Sequence, residues 1–293
     1  SGDYNIAIGL QAGGAITTGG NNIAIGADAL LVATTGGDNI GIGTNALRAH
    51  TTGDNNVALG TNALEDNTSG HENTAIGRYA LKGNTEGQEN TGVGNAAGEN
   101  ITTGDYNTAI GSSTLAAATT ASNNTAVGAL ALTANTSGTG NTAVGKDAGL
   151  AVTEGGGNTF IGYLTGDNTT TTSNNTATGA FALSAAAGAD NTGFGVYTLF
   201  NCTGADNTAC GAVAGHSVTS GANNSFLGHD AGRPGAPGGA ISTASNVISL
   251  GDGNVANANI QVDWTVASDQ RDKTDFTALD LGLDFVNDLN PVT

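Results

Sequence analysis

A five-residue stretch ending in glycine returns along this chain at an almost fixed interval, and that interval limits what the chain can fold into. The stretch reads Asn-Thr-Ala-Ile-Gly at residues 73–77 and again at 107–111. Its asparagine falls at Asn5, Asn22, Asn39, Asn56, Asn73, Asn90, Asn107, Asn124, Asn141, Asn158 and Asn175, each step being 17 residues. Steps of 16, 16 and 17 then lead to Asn191, Asn207 and Asn224. Fourteen copies in nearly unbroken register make an array of one small unit, which can bury its apolar face only by stacking on its neighbours.

Aligned on the glycine, the copies resolve into columns. The residue before it is Ile8, Ile25, Ile42, Leu59, Ile76, Val93 and their successors. Two before it the side chain is small, as in Ala7, Ala24, Gly41, Ala58 and Ala75, with Phe160 and Phe226 as exceptions. Three before it stand Ile6, Ile23, Ile40 and Val57, then threonine from Thr74 to Thr208. Alternation at period two in β-branched residues is the mark of a short strand. Each glycine is followed by a second short segment and then a polar turn such as Thr51-Thr52-Gly53-Asp54, whose Gly and Asp suit positive φ.

A unit this short cannot hold a helical hairpin. The expected fold is all-β, a parallel β-solenoid or β-roll of about fourteen 17-residue coils. Its coils would pair at ~4.8 Å into a shaft roughly 65–70 Å long. Composition agrees, because 48 glycines and 4% aromatics leave only a thin core of small residues. The asparagine column is expected to stack as an amide ladder along the shaft. Residues 92–97 match the loose dinucleotide fingerprint G-x-G-x-x-A, but they lie in register with copies that do not, so the match is discarded.

The formal charge of −18 repels phosphate backbones and anionic bilayers, which argues against nucleic-acid binding. No apolar run approaches the ~18–20 residues of a membrane span, so no membrane insertion is expected. Cys202 and Cys210 do not make a disulfide framework and read as small apolar fillers. His50, His71, His216 and His229 share no column, and no carboxylate pair recurs at a fixed offset. No substrate-directed activity, cofactor or metal is therefore expected; Asp190 and Asp206, one coil apart, read as solvated surface rather than a calcium site.

The array occupies residues 1–232 and falters at Arg233-Pro234-Gly235-Ala236-Pro237, because proline cannot donate to a ladder. Residues 233–267 read as an irregular transition with terminal strands, in which 246–251 looks like a worn repeat with one residue too many. From 268 charges appear, and Phe276, Leu279, Leu283, Val286 and Leu289 recur at the spacing of a short helix.

Two resemblances follow from these residues. The array is similar to the head repeats of trimeric autotransporter adhesins, whose Asn-Ser-Val-Ala-Ile-Gly core matches Asn-Thr-Ala-Val-Gly at 124–128, although those repeats are shorter. Ser268-Asp269-Gln270-Arg271-Asp272-Lys273-Thr274-Asp275, followed by Leu281-Gly282-Leu283 and Leu289-Asn290-Pro291-Val292, resembles the opening of the intramolecular chaperone domain of phage tail spikes and tail fibres. Bacterial tail-fibre-domain proteins carry such a domain behind similar arrays. The resemblance implies a homotrimeric, elongated fibre, with 268–293 the beginning of the chaperone-like domain. It also implies self-cleavage at Ser268–Asp269, with Ser268 as nucleophile and Lys273 as its base. The residues alone leave another reading open, in which Ser268 caps a turn and Lys273 pairs with Asp272 or Asp275.

The expected function is thus a structural fibre or adhesin, extracellular, on a cell surface or on a virion, contacting a host surface glycan or receptor. The alternative is a free extracellular filament, or a solenoid that binds ice, mineral or glycan. In the trimer the Ile/Val column is expected inside each coil. The chains would meet through Ala24, Ala58, Ala75, Ala109, Ala126 and Ala143, since close backbone approach needs small residues. The Thr column is expected to face a core, because Ile6, Ile23 and Ile40 share it.

Overall fold

The computed structural model describes residues 2–256; the expected helix, Ser268, Asp269 and Lys273 lie outside the described residues. Fifteen strands of three residues each follow one another in the chain: β1 (Ile6–Ile8), β2 (Ile23–Ile25), β3 (Ile40–Ile42), β4 (Val57–Leu59), β5 (Thr74–Ile76), β6 (Thr91–Val93), β7 (Thr108–Ile110), β8 (Thr125–Val127), β9 (Thr142–Val144), β10 (Thr159–Ile161), β11 (Thr176–Thr178), β12 (Thr192–Phe194), β13 (Thr208–Cys210), β14 (Ser225–Leu227) and β15 (Ile248–Leu250). They form one parallel sheet in sequence order, each strand pairing with the next like residue to like residue, as in Thr74↔Thr91, Ala75↔Gly92 and Ile76↔Val93. This is the expected parallel β-solenoid. Three residues per strand suffice because every coil shares hydrogen bonds with the coils on both sides, for example Thr74 N–H to Asn90 O at 2.8 Å and Gly77 N–H to Leu59 O at 2.8 Å.

The fifteenth strand comes from the worn repeat. Its coil takes 23 residues instead of 17, and the surplus is carried in the Pro-containing loop after Gly232. Val247 stands in the asparagine column and donates its N–H to Asn224 Oδ1 at 2.9 Å, while Asn246 takes the preceding turn position at φ 63°. The two 16-residue coils likewise keep the sheet in register, as Thr176↔Thr192 and Thr192↔Thr208.

The strands turn the opposite face inward from the one expected. Ala24, Ala58, Ala75, Ala109, Ala126 and Ala143 are fully buried within their own coils, while Ile and Val on either side of them are half-exposed or exposed. The Ala column is therefore core, not a surface between chains, and the Ile/Val and Thr columns point outward. The reason is volume. Where a buried leucine fills a 17-residue coil, its sheet side has room for no more than a methyl group, and the branched side chains of the strand point outside.

The wall opposite the strands is not a second sheet. After each glycine the backbone alternates between right- and left-handed conformations, as at Asn62 (φ 61°) and Leu64 (φ 49°). Leu30, Leu47, Leu64, Leu81, Leu115, Leu132, Leu183 and Leu199 all sit at positive φ and all are fully buried. Left-handed backbone costs a leucine about 1–2 kcal/mol; burying its side chain returns about 1.5–3 kcal/mol. The conformation holds because each of these N–H groups still finds the next coil, Leu64 to Ala80 O at 3.0 Å.

Core volume is conserved coil by coil. Where the leucine is present, the residue three positions later is small or polar: Leu30 with Ala33, Leu64 with Asn67, Leu132 with Asn135. Where it is glycine, that later residue grows: Gly13 with Ile16, Gly98 with Ile101, Gly149 with Val152, Gly215 with Val218. A Cβ on Gly98 would lie 3.0 Å from Ile101 Cδ1, so the larger residue occupies the missing leucine's space. Phe160 fits only because Gly149 and Gly166 flank it; a Cβ on Gly166 would come within 2.4 Å of its ring. Phe226 sits between Gly215 and Gly232 in the same way.

Candidate functional site

Two ladders fix the geometry of the coils. Each asparagine of the repeat takes a hydrogen bond on its Oδ1 from the backbone of the next one, Asn107 N–H to Asn90 Oδ1 at 2.9 Å and Asn124 N–H to Asn107 Oδ1 at 3.1 Å. Its Nδ2 donates to a turn carbonyl further on, Asn107 to Ala121 O at 2.8 Å. The expected amide ladder is present. A hydroxyl ladder that the sequence reading missed runs beside it: Thr34 Oγ1 donates to Thr51 O, Thr51 to Thr68 O, Thr68 to Thr85 O and Thr85 to Thr102 O, at 2.8–3.1 Å. The recurrence of Thr at 17, 34, 51, 68, 85 and 102 was the available signal, and turn composition hid it.

The sheet leaves one face outward along the whole array. It carries two columns, one of Ile, Val and Leu before the glycine and one of Ile, then Thr, two residues earlier. Neither column holds a charged side chain at any of the fifteen strands, although the chain carries −18. Leu59 is 45% exposed, Ile161 40% and Phe194 45% among the described residues. An apolar stripe of this length on one face is far more than the scattered apolar surface of ordinary soluble proteins, and such stripes mark interaction sites. Charges gather elsewhere, for instance in the cross-coil pairs Arg48–Glu65 at 3.2 Å and Lys82–Glu65 at 3.8 Å.

Other residues flagged in the sequence fall into separate places. Cys202 is buried, and burial pushes its thiol up to about 11; Cys210 is exposed in the outward column and so is not a core filler. Asp190 accepts from Asn174 Nδ2 at 3.1 Å. His50 is buried where Asn67, Asn84 and Asn135 stand in later coils, with its Nε2–H donating to Gly53 O at 2.7 Å and Nδ1 unpartnered.

Burial holds the His50 pKa below its ordinary value, although the Gly53 carbonyl and Asp54 pull the other way. The unfolded chain therefore takes up the proton first. His50 keeps its full contribution above its unfolded pKa of about 6.5 and loses it as pH falls from there through the folded value. His50→Asn, which installs the amide of the neighbouring coils, should melt within a few degrees of the parent at pH 7.5. Thermal melts from pH 7.5 to 5 should then show a shallower decline for the variant; equal slopes would remove His50 as a source of acid sensitivity.

Between β10 and β14 the repeat also gathers aromatic side chains. Tyr163, Phe181, Tyr197 and Phe200, followed by His216, bring ring side chains together in successive coils. Phe181 and Tyr197 stack at 4.9 Å and 3°, and Phe200 and His216 at 5.3 Å and 9°. Among the described residues no three His, Cys, Asp or Glu side chains group as metal ligands. No family model matches the chain, and no curated protein sequence matches it.

Proposed function

We propose that this chain forms the shaft of a homotrimeric fibre, extracellular or virion-borne, which projects from a surface and contacts a host or neighbouring cell. The observation that carries the reading is the uncharged outward face. A partner able to cover two such columns over their whole length must repeat at the coil spacing of ~4.8 Å, and an identical copy does so. Three copies around one axis would each bury this stripe and leave the acidic turns in water. The fibre-like array and the stretch from Ser268 to Asp275, with its resemblance to the chaperone domain of tail fibres, point the same way. On this reading self-cleavage at Ser268–Asp269 with Lys273 as base is carried by the resemblance alone.

Sedimentation of the full chain should give three times 28.4 kDa. Ile110→Lys, which places a charge at an outward position, should return the mass to 28.4 kDa with the β signal intact. Oxidative cross-linking should join two copies through Cys210 and not through buried Cys202. A parent that sediments as a monomer ends the trimer reading.

The outward Thr column favours a second reading. Thr74, Thr91, Thr108, Thr125 and Thr142 face outward in register, not into a core as expected from Ile6, Ile23 and Ile40. On a monomeric rod, this rank of hydroxyls beside a rank of methyl groups would be a flat surface for an ice or mineral lattice. A monomer that slows ice growth would support it over the fibre.

A further inference from the structure

We infer that a notch on the wall away from the sheet, between the coils of β10 and β12, binds a neutral pyranose unit of a surface saccharide. This rests on the surface-contact reading and names where and by what chemistry the contact is made.

The notch arises from side-chain size in two adjacent columns. Asp167 and Asn168 stand in one coil, Ser184 and Ala185 in the next, Phe200 and Asn201 in the third. Small residues in the middle coil leave a cleft of about 370 Å³ between larger ones, with Phe181 completing its wall. That volume falls within the range of small-ligand sites. From the first of these coils to the third is two coil spacings, or about 9.5 Å, which leaves room for one sugar ring between the flanking side chains.

The notch offers two kinds of surface. His216 covers one face of Phe200 at 5.3 Å. Tyr197 meets the same ring edge-on at 5.4 Å, and Phe200 lines the cleft together with Ser184, Ala185 and Phe181; an aromatic wall there suits the C–H face of a pyranose. Hydrogen-bond acceptors stand on both sides, Asp167 and Asn168 in the first coil and Asn201 beside Phe200 in the third. Asn168 Nδ2 is tied to Ser184 O at 2.7 Å and Asn201 Nδ2 to His216 O at 2.9 Å, so both amides keep Oδ1 for a ligand. Asp167 Oδ1 accepts from Ser184 Oγ, and Oδ2 has a single 3.3 Å contact with Asn168 Nδ2. Burial raises the Asp167 pKa, which fits a carboxyl partly withdrawn from water.

One aromatic wall among several acceptors is the complement of a polyol ring, whose hydroxyls are donors and whose face is C–H. An anionic sugar would meet Asp167 and a chain of net charge −18, so the saccharide is neutral. A quaternary ammonium needs rings on several sides, whereas five of the seven residues lining this cleft are Asp167, Asn168, Ser184, Ala185 and Asn201.

The test is a glycan array on the full chain, followed by titration with neutral monosaccharides and disaccharides, a sialylated counterpart and tetramethylammonium. Binding of a neutral sugar with a Kd on the order of 1 mM or tighter is expected. Phe200→Ala and Asp167→Asn should each weaken it at least ~10-fold, a change of ~1.4 kcal/mol. Ala185→Tyr, which fills the notch from an outward column, should abolish it while the circular dichroism stays unchanged. Preference for tetramethylammonium or for the sialylated sugar, binding that survives Ala185→Tyr, or no neutral sugar bound would overturn the assignment. No notch residue belongs to the sheet, so sedimentation separates the two ideas. A trimer that binds no sugar sinks only the notch, and a sugar-binding monomer sinks only the trimer.

Discussion

Gly77→Ala should destabilise the shaft by about 2–6 kcal/mol, the sum of a strained backbone and an overpacked contact. Gly77 closes β5 at φ 133°, a region that side-chain-bearing residues rarely enter. A Cβ there would lie 2.4 Å from Gly94 O and 2.7 Å from Gly94 C. Those atoms are backbone of the next coil, and that coil is held in turn by the one beyond it, so nothing can move aside. The glycine column stacks on itself throughout the array: Gly94 meets Gly111 O at 2.5 Å and Gly128 meets Gly145 O at 2.5 Å. The matching control is Gly140→Asn. Gly140 has φ 68°, a Cβ would meet nothing closer than 3.9 Å, and Asn123 and Asn174 hold the same turn position at φ 60° and 62°. That variant should be neutral or stabilised by up to ~1 kcal/mol. Urea unfolding followed by circular dichroism ranks the two; equal effects would mean that stacking does not constrain the glycine column.

Asn107→Ala is expected to cost about 2–6 kcal/mol, because it orphans two buried backbone groups at about 1–3 kcal/mol each. Asn124 N–H loses Asn107 Oδ1, and Ala121 O loses Asn107 Nδ2. Other partners survive: Asn124 Nδ2 keeps Gly138 O, and Asn90 Oδ1 keeps the Asn107 backbone N–H. The damage should therefore be confined to the rungs between β7 and β8. Hydrogen exchange reads this directly, with protection lost at Asn124 and its neighbours and retained near β2 and β12. Loss spread evenly along the array would argue for all-or-none coupling instead of nearest-neighbour coupling.

The period and its strand were legible in the sequence because every coil must present the same backbone to the next, and backbone demands fix Asn and Gly directly. Which strand face lies inside was not legible from alternation. Both faces are uncharged, so Ile76 beside Ala75 reads equally well either way round. The signal that separates them is volume. Columns facing the interior trade size within a coil, Leu64 with Asn67 against Gly98 with Ile101, because they share one closed space. Outward columns vary freely, as Ile110, Thr178, Phe194 and Cys210 do. Comparing columns with each other, not only down their own length, distinguishes core from surface within this one sequence. The notch escaped notice for a related reason: Ser184 and Ala185 are ordinary residues, and only the larger side chains one coil either way make them a floor.

The rungs between coils also decide how such a shaft would answer a pull along its length. Each coil is joined to the next by one three-residue strand pairing, by backbone bonds all along its opposite wall and turns, and by amide and hydroxyl rungs, all running from coil to coil. Tension applied to the chain ends opens these rungs in series, as a zipper, rather than shearing them together. Every coil that peels away frees 17 residues, or about 60 Å of extended chain, in place of ~4.8 Å of stacked height. A tether of this kind lengthens in steps and dissipates work at each one, so an attachment under drag would yield coil by coil before its grip is overloaded.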